Sequence, residues 1–274
     1  MSTAVTAVGA VRRGVSAAVR KWLLFAIAVV LWEIAARLGG SKFFPPPSEI
    51  VPTAAKLWFT GPASHVFLTD AVFDNVVPSL VSMLGGWALA SVFGITVGVL
   101  VGRSRTGIDY FGPLFAFFRA LPPPTLSPVF ATLFGLTTGM RTASILFGAI
   151  WPVLLNTIDG VRSVDQVKTE TARSFRTPKP YWIAMVVLPT AAPKIFAGLR
   201  LSLSLSLLLM VIAELYGTTN GIGRSLVNAS LRFDFPVMWS WLVLLGILGY
   251  LFNAVFLAAE RRALAWQPTR LGRG

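Results

Sequence analysis

Apolar residues in this chain come in long runs rather than in the alternating or one-faced patterns of soluble proteins. A helix needs roughly 20 mostly apolar residues to cross the hydrocarbon core of a bilayer. Six stretches are candidates: residues 22–38, 79–101, 111–134, 142–158, 195–216 and 237–259. The first and fourth are short and would cross with little tilt. The third is interrupted by Pro122-Pro123-Pro124 and by Pro128. A helix broken inside a membrane is tolerated where its backbone packs on protein or lines a cavity. A second reading of that stretch lays residues 111–121 at the interface, so that only its later half spans. The pattern predicts an all-α fold, a polytopic membrane helix bundle with six transmembrane helices.

Composition supports this. Of 274 residues, 55% are hydrophobic and 13% are charged, against about 25% charged in soluble domains. An ordinary soluble enzyme is thereby excluded. The chain has no cysteine, hence no disulfide framework, thiolate metal site or cysteine nucleophile. Its one histidine, His65, argues against a histidine-based metal centre or catalytic triad. A net charge of +13 would suggest nucleic acid in a soluble protein. Here the cations flank the apolar runs, which is a membrane-topology signal, and no nucleic-acid partner is expected.

With the N-terminus placed inside, seventeen lysines and arginines fall in inner segments and six in outer ones, with Arg119 left within the third stretch. The bias puts both termini in the cytoplasm. Residues 1–21 read as a cytoplasmic tail and 22–274 as the transmembrane domain, with its core at about 75–260. The basic start followed by an apolar run imitates a signal peptide. Glu33 and Arg37 interrupt the region where cleavage would fall, so the segment reads as a retained first helix.

Local signals refine the outline. Pro45-Pro46-Pro47 fixes an extended segment, after which Ser48 is placed to cap a short helix reaching Trp58. The stretch up to Pro78 should be extracytoplasmic and lie along the membrane surface. Gly86, Ala90, Gly94, Gly98 and Gly102 recur every four residues, which carves a groove down one helix face and lets another backbone approach closely. That helix should be central to a bundle or to a subunit contact.

The longest inner loop, residues 160–194, is polar, basic and helical in pattern. Ser163 with Gln166 gives a capping-box signal, and Val164, Val167, Thr171 and Phe175 share one face. Thr177-Pro178-Lys179-Pro180 stops this helix, and residues 181–188 begin another that bends at Pro189. By composition, the exposed apolar stripe serves equally well to bind a partner or to lie on lipid head groups.

Within the loop, Glu170-Thr171-Ala172, three residues, Arg176, nine residues, and Val186-Val187-Leu188-Pro189 resemble the EAA loop of permease subunits in binding-protein-dependent ABC importers. That pattern is Glu-Ala-Ala, three residues, Gly, nine residues, Ile, any residue, Leu-Pro. Thr171 stands for an alanine, Val186 for the isoleucine and Arg176 for the glycine. The segments Phe44 to Glu49, Trp151 to Arg162, Leu188 to Arg200 and Ala213 to Gly223 are similar to the nitrate/sulfonate/taurine branch. The likeness covers about residues 43–265.

The resemblance implies a type I ABC importer-like fold. It makes the loop helix the element that docks on a separate ATP-binding subunit, present in two copies. Glu170 and Ala172 would sit at the docking surface, and Val186, Leu188 and Pro189 would brace the loop on the bundle. A second permease subunit, in a homodimer, would complete the path, and an extracytoplasmic binding protein would deliver a nitrate, alkanesulfonate or taurine-like anion. Related permeases also serve vitamin precursors such as pyrimidines. The chain has no Gly-rich Lys-Ser/Thr phosphate loop, so ATP and Mg belong to the partner and no cofactor is expected here. At Arg176 the turn must either shift to Thr177-Pro178 or hold an arginine in a backbone region that favours glycine.

Candidates for the translocation path are Arg119, Ser202, Ser206 and Glu214. Ionisable residues within spans are functional candidates by default, and serines on one helix face suit a wetted path. Caps, interhelical bonds and snorkelling are the competing roles. Asp159 reads as a cap or interhelical partner, Glu33 as facing other helices, His65 as a loop residue, and residues 218–223 as an outer polar turn. A membrane-embedded enzyme would need clustered acids or histidines. A secondary carrier would show inverted repeats and paired intramembrane acids, which this sequence lacks.

Overall fold

A computed structural model of the chain describes residues 22–216 and 218–266; the basic tail expected at 1–21 lies outside the described residues. The described secondary structure is helical. Five helices are long and apolar enough to cross a membrane, within Trp22–Gly39, Ala63–Gly102, Thr138–Arg162, Lys179–Leu215 and Phe235–Ala263.

The chain divides into two compact units. One runs up to Thr69 and includes Asn228–Leu242. It holds α1 (Trp22–Gly39) and α2 (Pro47–Phe59). The helix expected through Trp58 is present, but Ser48 does not cap it. Pro46 is the N-cap, and the carboxylate of Glu33 on α1 accepts from Ser48 N at 3.0 Å and Ser48 Oγ at 2.7 Å. An ionised acceptor from another helix thus takes the place of the local cap, in the positive field of the helix start. Trp32, Phe44 and Trp239 pack with ring centroids 5.0–5.5 Å apart, and Trp239 Nε1 donates to Phe43 O at 3.1 Å.

The other unit, Asp70–Val227 with the residues from Val243, holds α3 (Asp70–Gly102), α4 (Arg105–Ala120), α5 (Pro123–Phe134), α6 (Thr138–Arg162), α7 (Gln166–Ser174), α8 (Lys179–Trp182) and α9 (Leu188–Leu215). It also holds the first part of α10 (Ile222–Leu231) and most of α11 (Phe235–Ala263).

The small-residue stripe of α3 is buried against α6. A Cβ added at Gly86 would lie 2.7 Å from Ile145, at Gly94 2.9 Å from Val153 and at Gly98 2.7 Å from Thr157. The contacts advance together along both helices, so α3 and α6 run parallel. On the far side of α6, Gly148 meets Leu209 while Gly160 meets Ala191, so α9 runs antiparallel.

The third apolar stretch is two helices rather than one. Its first half starts at Arg105, where Ser104 Oγ accepts from Gly107 N at 3.0 Å. Leu121 and Pro122 are extended, and Pro123 opens α5 at a position where its missing N–H costs nothing. Pro128, expected to interrupt further, lies inside α5. Neither half is long enough to span alone. Because α3 and α6 are parallel and the connectors short, α4 and α5 together must carry the chain back along the bundle.

The fifth stretch extends further than its hydropathy suggests. Residues 179–187 form α8 and a π turn (Ile183–Val187) that continue into α9, with Leu188 N bonded to Ile183 O. The bend expected at Pro189 is replaced by this wider turn directly before it, which suits a residue that lacks an N–H.

Candidate functional site

At one end of the three-helix core, α7 stands on an exposed loop. Its N-cap is Asp165, whose Oδ1 accepts from Val167 N at 3.0 Å. The capping box expected from Ser163 and Gln166 does not form. Ser163 closes the last turn of α6, its Oγ donating to Gly160 O at 2.7 Å, while Gln166 Nε2 donates to Glu170 Oε1 at 2.8 Å. Val167 is 67% exposed and Phe175 80%, so the predicted stripe is uncovered among the described residues except at Val164, which packs on the bundle.

The end of α7 resolves the question posed by Arg176. Arg176 N donates to Arg173 O at 3.0 Å and Thr177 N to Ala172 O at 2.9 Å. These two bonds make a Schellman motif. Arg176 itself takes the left-handed position, with φ +48°. That conformation costs a residue bearing a Cβ about 1–2 kcal/mol. Arg176→Gly should therefore raise unfolding stability by about 1 kcal/mol. A thermal melt of the purified protein checks this; an unchanged or lower midpoint would mean the turn is not strained.

The loop is braced on the bundle through Val187, buried with Val161, Ala191 and Ile195, with Val164, Trp182 and Leu188 packed against this cluster. Val186 and Pro189 line an open groove of about 550 Å³ with Val167, Phe175, Met185 and Trp266. Val187 was missed by matching the loop pattern, although Val187, Ala191 and Ile195 at four-residue spacing signal a buried face. Ala172 lines both this groove and a second cleft. Glu170 and Thr171 are exposed on α7.

At the opposite end, a buried polar cluster ties α3, α6 and α9 to the turn before α10. Glu214, fully buried, accepts from Ser79 Oγ at 2.5 Å and Gly223 N at 2.8 Å, and lies 3.5 Å from Arg141 Nη1. Arg141 is 4% exposed and donates to Asn220 O and Thr138 Oγ1. Asn75 Oδ1 accepts from Gly221 N and Ser79 Oγ from Ile222 N. The first N–H groups of α10 are thus satisfied by side chains of α3 and α9. The sequence reading placed Arg141 only among outer cations and missed this role.

The expected path residues separate. Ser202, Ser206 and Glu214 are fully buried. Ser202 Oγ donates to Ala149 O at 2.7 Å and Ser206 Oγ to Ser202 O at 2.8 Å. Their polar atoms are used between and within helices, so in this protomer they do not line an open path. Arg119 is exposed at the end of α4, beside a shallow pocket formed with Ile108, Phe115 and Leu155. The Asp159 carbonyl, rather than its side chain, makes an interhelical bond, accepting from Lys194 Nζ at 3.0 Å.

A multi-pass helical core carrying an exposed loop helix of this pattern defines a transport permease. The chain matches the family described as binding-protein-dependent transport system inner membrane component over residues 90–264, and it belongs to that family. It is 29% identical, over 91% of its length and 88% of the relative's, to SsuC of Bacillus subtilis, provisionally named an aliphatic sulfonates transport permease. It is 28% identical to the taurine transport system permease protein TauC of Escherichia coli, covering 89% of this chain and 87% of TauC. The bicarbonate transport system permease protein CmpB of Synechococcus elongatus is 31% identical over 68% of each chain. The fold matches a chain of the inward-facing MetNI methionine ABC transporter with TM-score 0.61 at 20% identity, over 69% of this chain and 94% of that one. The protein is an ABC importer permease of the sulfonate, taurine and bicarbonate type, an inner-membrane component rather than itself an enzyme.

Proposed function

We propose that this chain forms the translocation path for a small oxyanion of the nitrate, alkanesulfonate or taurine kind, driven by ATP hydrolysis in a separate subunit. The observation that carries the coupling is α7, on an exposed loop with Val167 and Phe175 uncovered and closed by a Schellman turn at the position where the family loop has glycine. In this reading α7 is the docking element. Glu170 offers a carboxylate to a basic residue of the partner, and Ala172, between two clefts, permits close approach. Two ATP-binding subunits, holding ATP and Mg, close on one another and drive the two loop helices of a permease homodimer together. The bundles then rock between access states. An extracytoplasmic binding protein supplies the anion. Six crossings, with α4 and α5 in series as the third, put both termini in the cytoplasm.

Co-expression with an ATP-binding subunit of the same system, followed by purification in mild detergent, tests this. A stable complex is expected. Glu170→Lys should reduce its recovery about tenfold, because it sets like charges together in the contact. Recovery indifferent to Glu170→Lys would remove this residue from the interface, and absence of any complex would sink the reading.

A further inference from the structure

A second cleft, of about 490 Å³, opens beside α7. Its lining holds Arg103, Arg173, Arg176 and Lys179 and contains no carboxylate. None of the four side chains makes an ion pair or hydrogen bond among the described residues. Four unneutralised cations in one concavity repel one another, and an anion entering it is attracted by all of them.

A topological preference for cations on this side of the membrane is met by a lysine or arginine anywhere in the loop. It does not call for one at a left-handed position. At Arg176 the chain keeps a strained backbone, φ +48°, where glycine would close the same turn without strain. What it keeps in exchange is a guanidinium at the cleft.

The floor of the cleft fixes its depth. It includes Gly102, the last residue of α3, Val161, at the end of α6, and Val187, directly before α9. Gly102 and Val161 lie where long apolar helices end, which is the level of lipid head groups. Thr177 in the lining adds a hydroxyl donor. Arginine forks match phosphate oxygens in pairs and lysine adds a mobile point charge.

We propose that this cleft binds a phosphate group, carried either by the head group of an anionic lipid or by a soluble phosphate. Its depth matches the lipid source.

The test uses the full-length protein in mild detergent, stripped of lipid and titrated separately with phosphatidylglycerol, phosphatidylcholine and inorganic phosphate, with bound ligand counted by native mass spectrometry. Wild type should prefer phosphatidylglycerol over phosphatidylcholine. Arg176→Gly and Arg103→Gln should each lower that preference about fivefold, and the double variant should abolish it. Inorganic phosphate bound by wild type and lost in the double variant, without any lipid preference, assigns the site to a soluble ligand. Arg176→Gly gives the turn its favoured residue, so its effect is not one of misfolding. Lipid preference and phosphate binding both unchanged in the double variant would overturn the proposal, as would equal binding of the two lipids by wild type.

Discussion

Gly98→Leu is expected to prevent assembly of the helical core, and Gly98→Ala to lower its stability by about 1–3 kcal/mol. A Cβ at Gly98 would lie 2.7 Å from Thr157 Cβ and 3.0 Å from the Leu154 carbonyl oxygen. The second contact is backbone, so no side-chain rotation relieves it. Gly94 repeats the situation one turn earlier, against Val153 Cβ at 2.9 Å and Leu154 N at 3.2 Å. Helices in lipid gain little from apolar burial and associate through close packing, so wedging α3 off α6 removes what holds them. Gly85 is the control, since a Cβ there meets nothing within 4 Å. Gly85→Ala should be neutral or slightly stabilising through helix propensity. Size-exclusion profiles and thermal melts in detergent separate the cases, and a Gly98→Leu protein as monodisperse and stable as Gly85→Leu would refute this packing.

The same stripe shows what a sequence alone makes legible. Five small residues at four-residue spacing foretold close helix contact because the period belongs to one helix face, although they did not say which helix would fill the groove. The loop helix was legible for a similar reason: Glu170, Ala172, Leu188 and Pro189 keep a fixed register. Its cap was not, because Ser163 and Asp165 are both good caps and only the end of α6 decides that Ser163 is already used. The serines of α9 were left between a wetted path and a bond to the helix, because a hydroxyl can bond a neighbouring carbonyl as readily as water, and spacing cannot tell these apart. The polar cluster at the other end was not legible, because Asn75 with Ser79, Arg141 and Glu214 come from three segments far apart in sequence, and nothing local signals that they meet.

That cluster yields the other large effect. Replacing Arg141 or Glu214 singly by leucine should cost about 3–5 kcal/mol, since each change strands the other charge without its partner in a buried site. The double replacement should cost well below the sum, because it removes both charges. Loss of Glu214 also takes away the acceptor of Gly223 N and the partner of Ser79 Oγ, loosening the start of α10. Gly221→Ala should act on the same joint from the other side. Gly221 has φ +126°, and its Cβ would fall 2.4 Å from the Glu214 carboxylate carbon. Global destabilisation alone does not distinguish a clamp from general packing, so amide exchange at residues 221–223 is the deciding measurement. It should accelerate in Glu214→Leu, Ser79→Ala and Gly221→Ala, but not in Gly98→Ala at matched loss of stability. Equal acceleration in all four would mean that these residues merely share in the stability of the bundle. Acceleration confined to the first three would establish that a buried carboxylate, reached from α9, holds the turn before α10 in place.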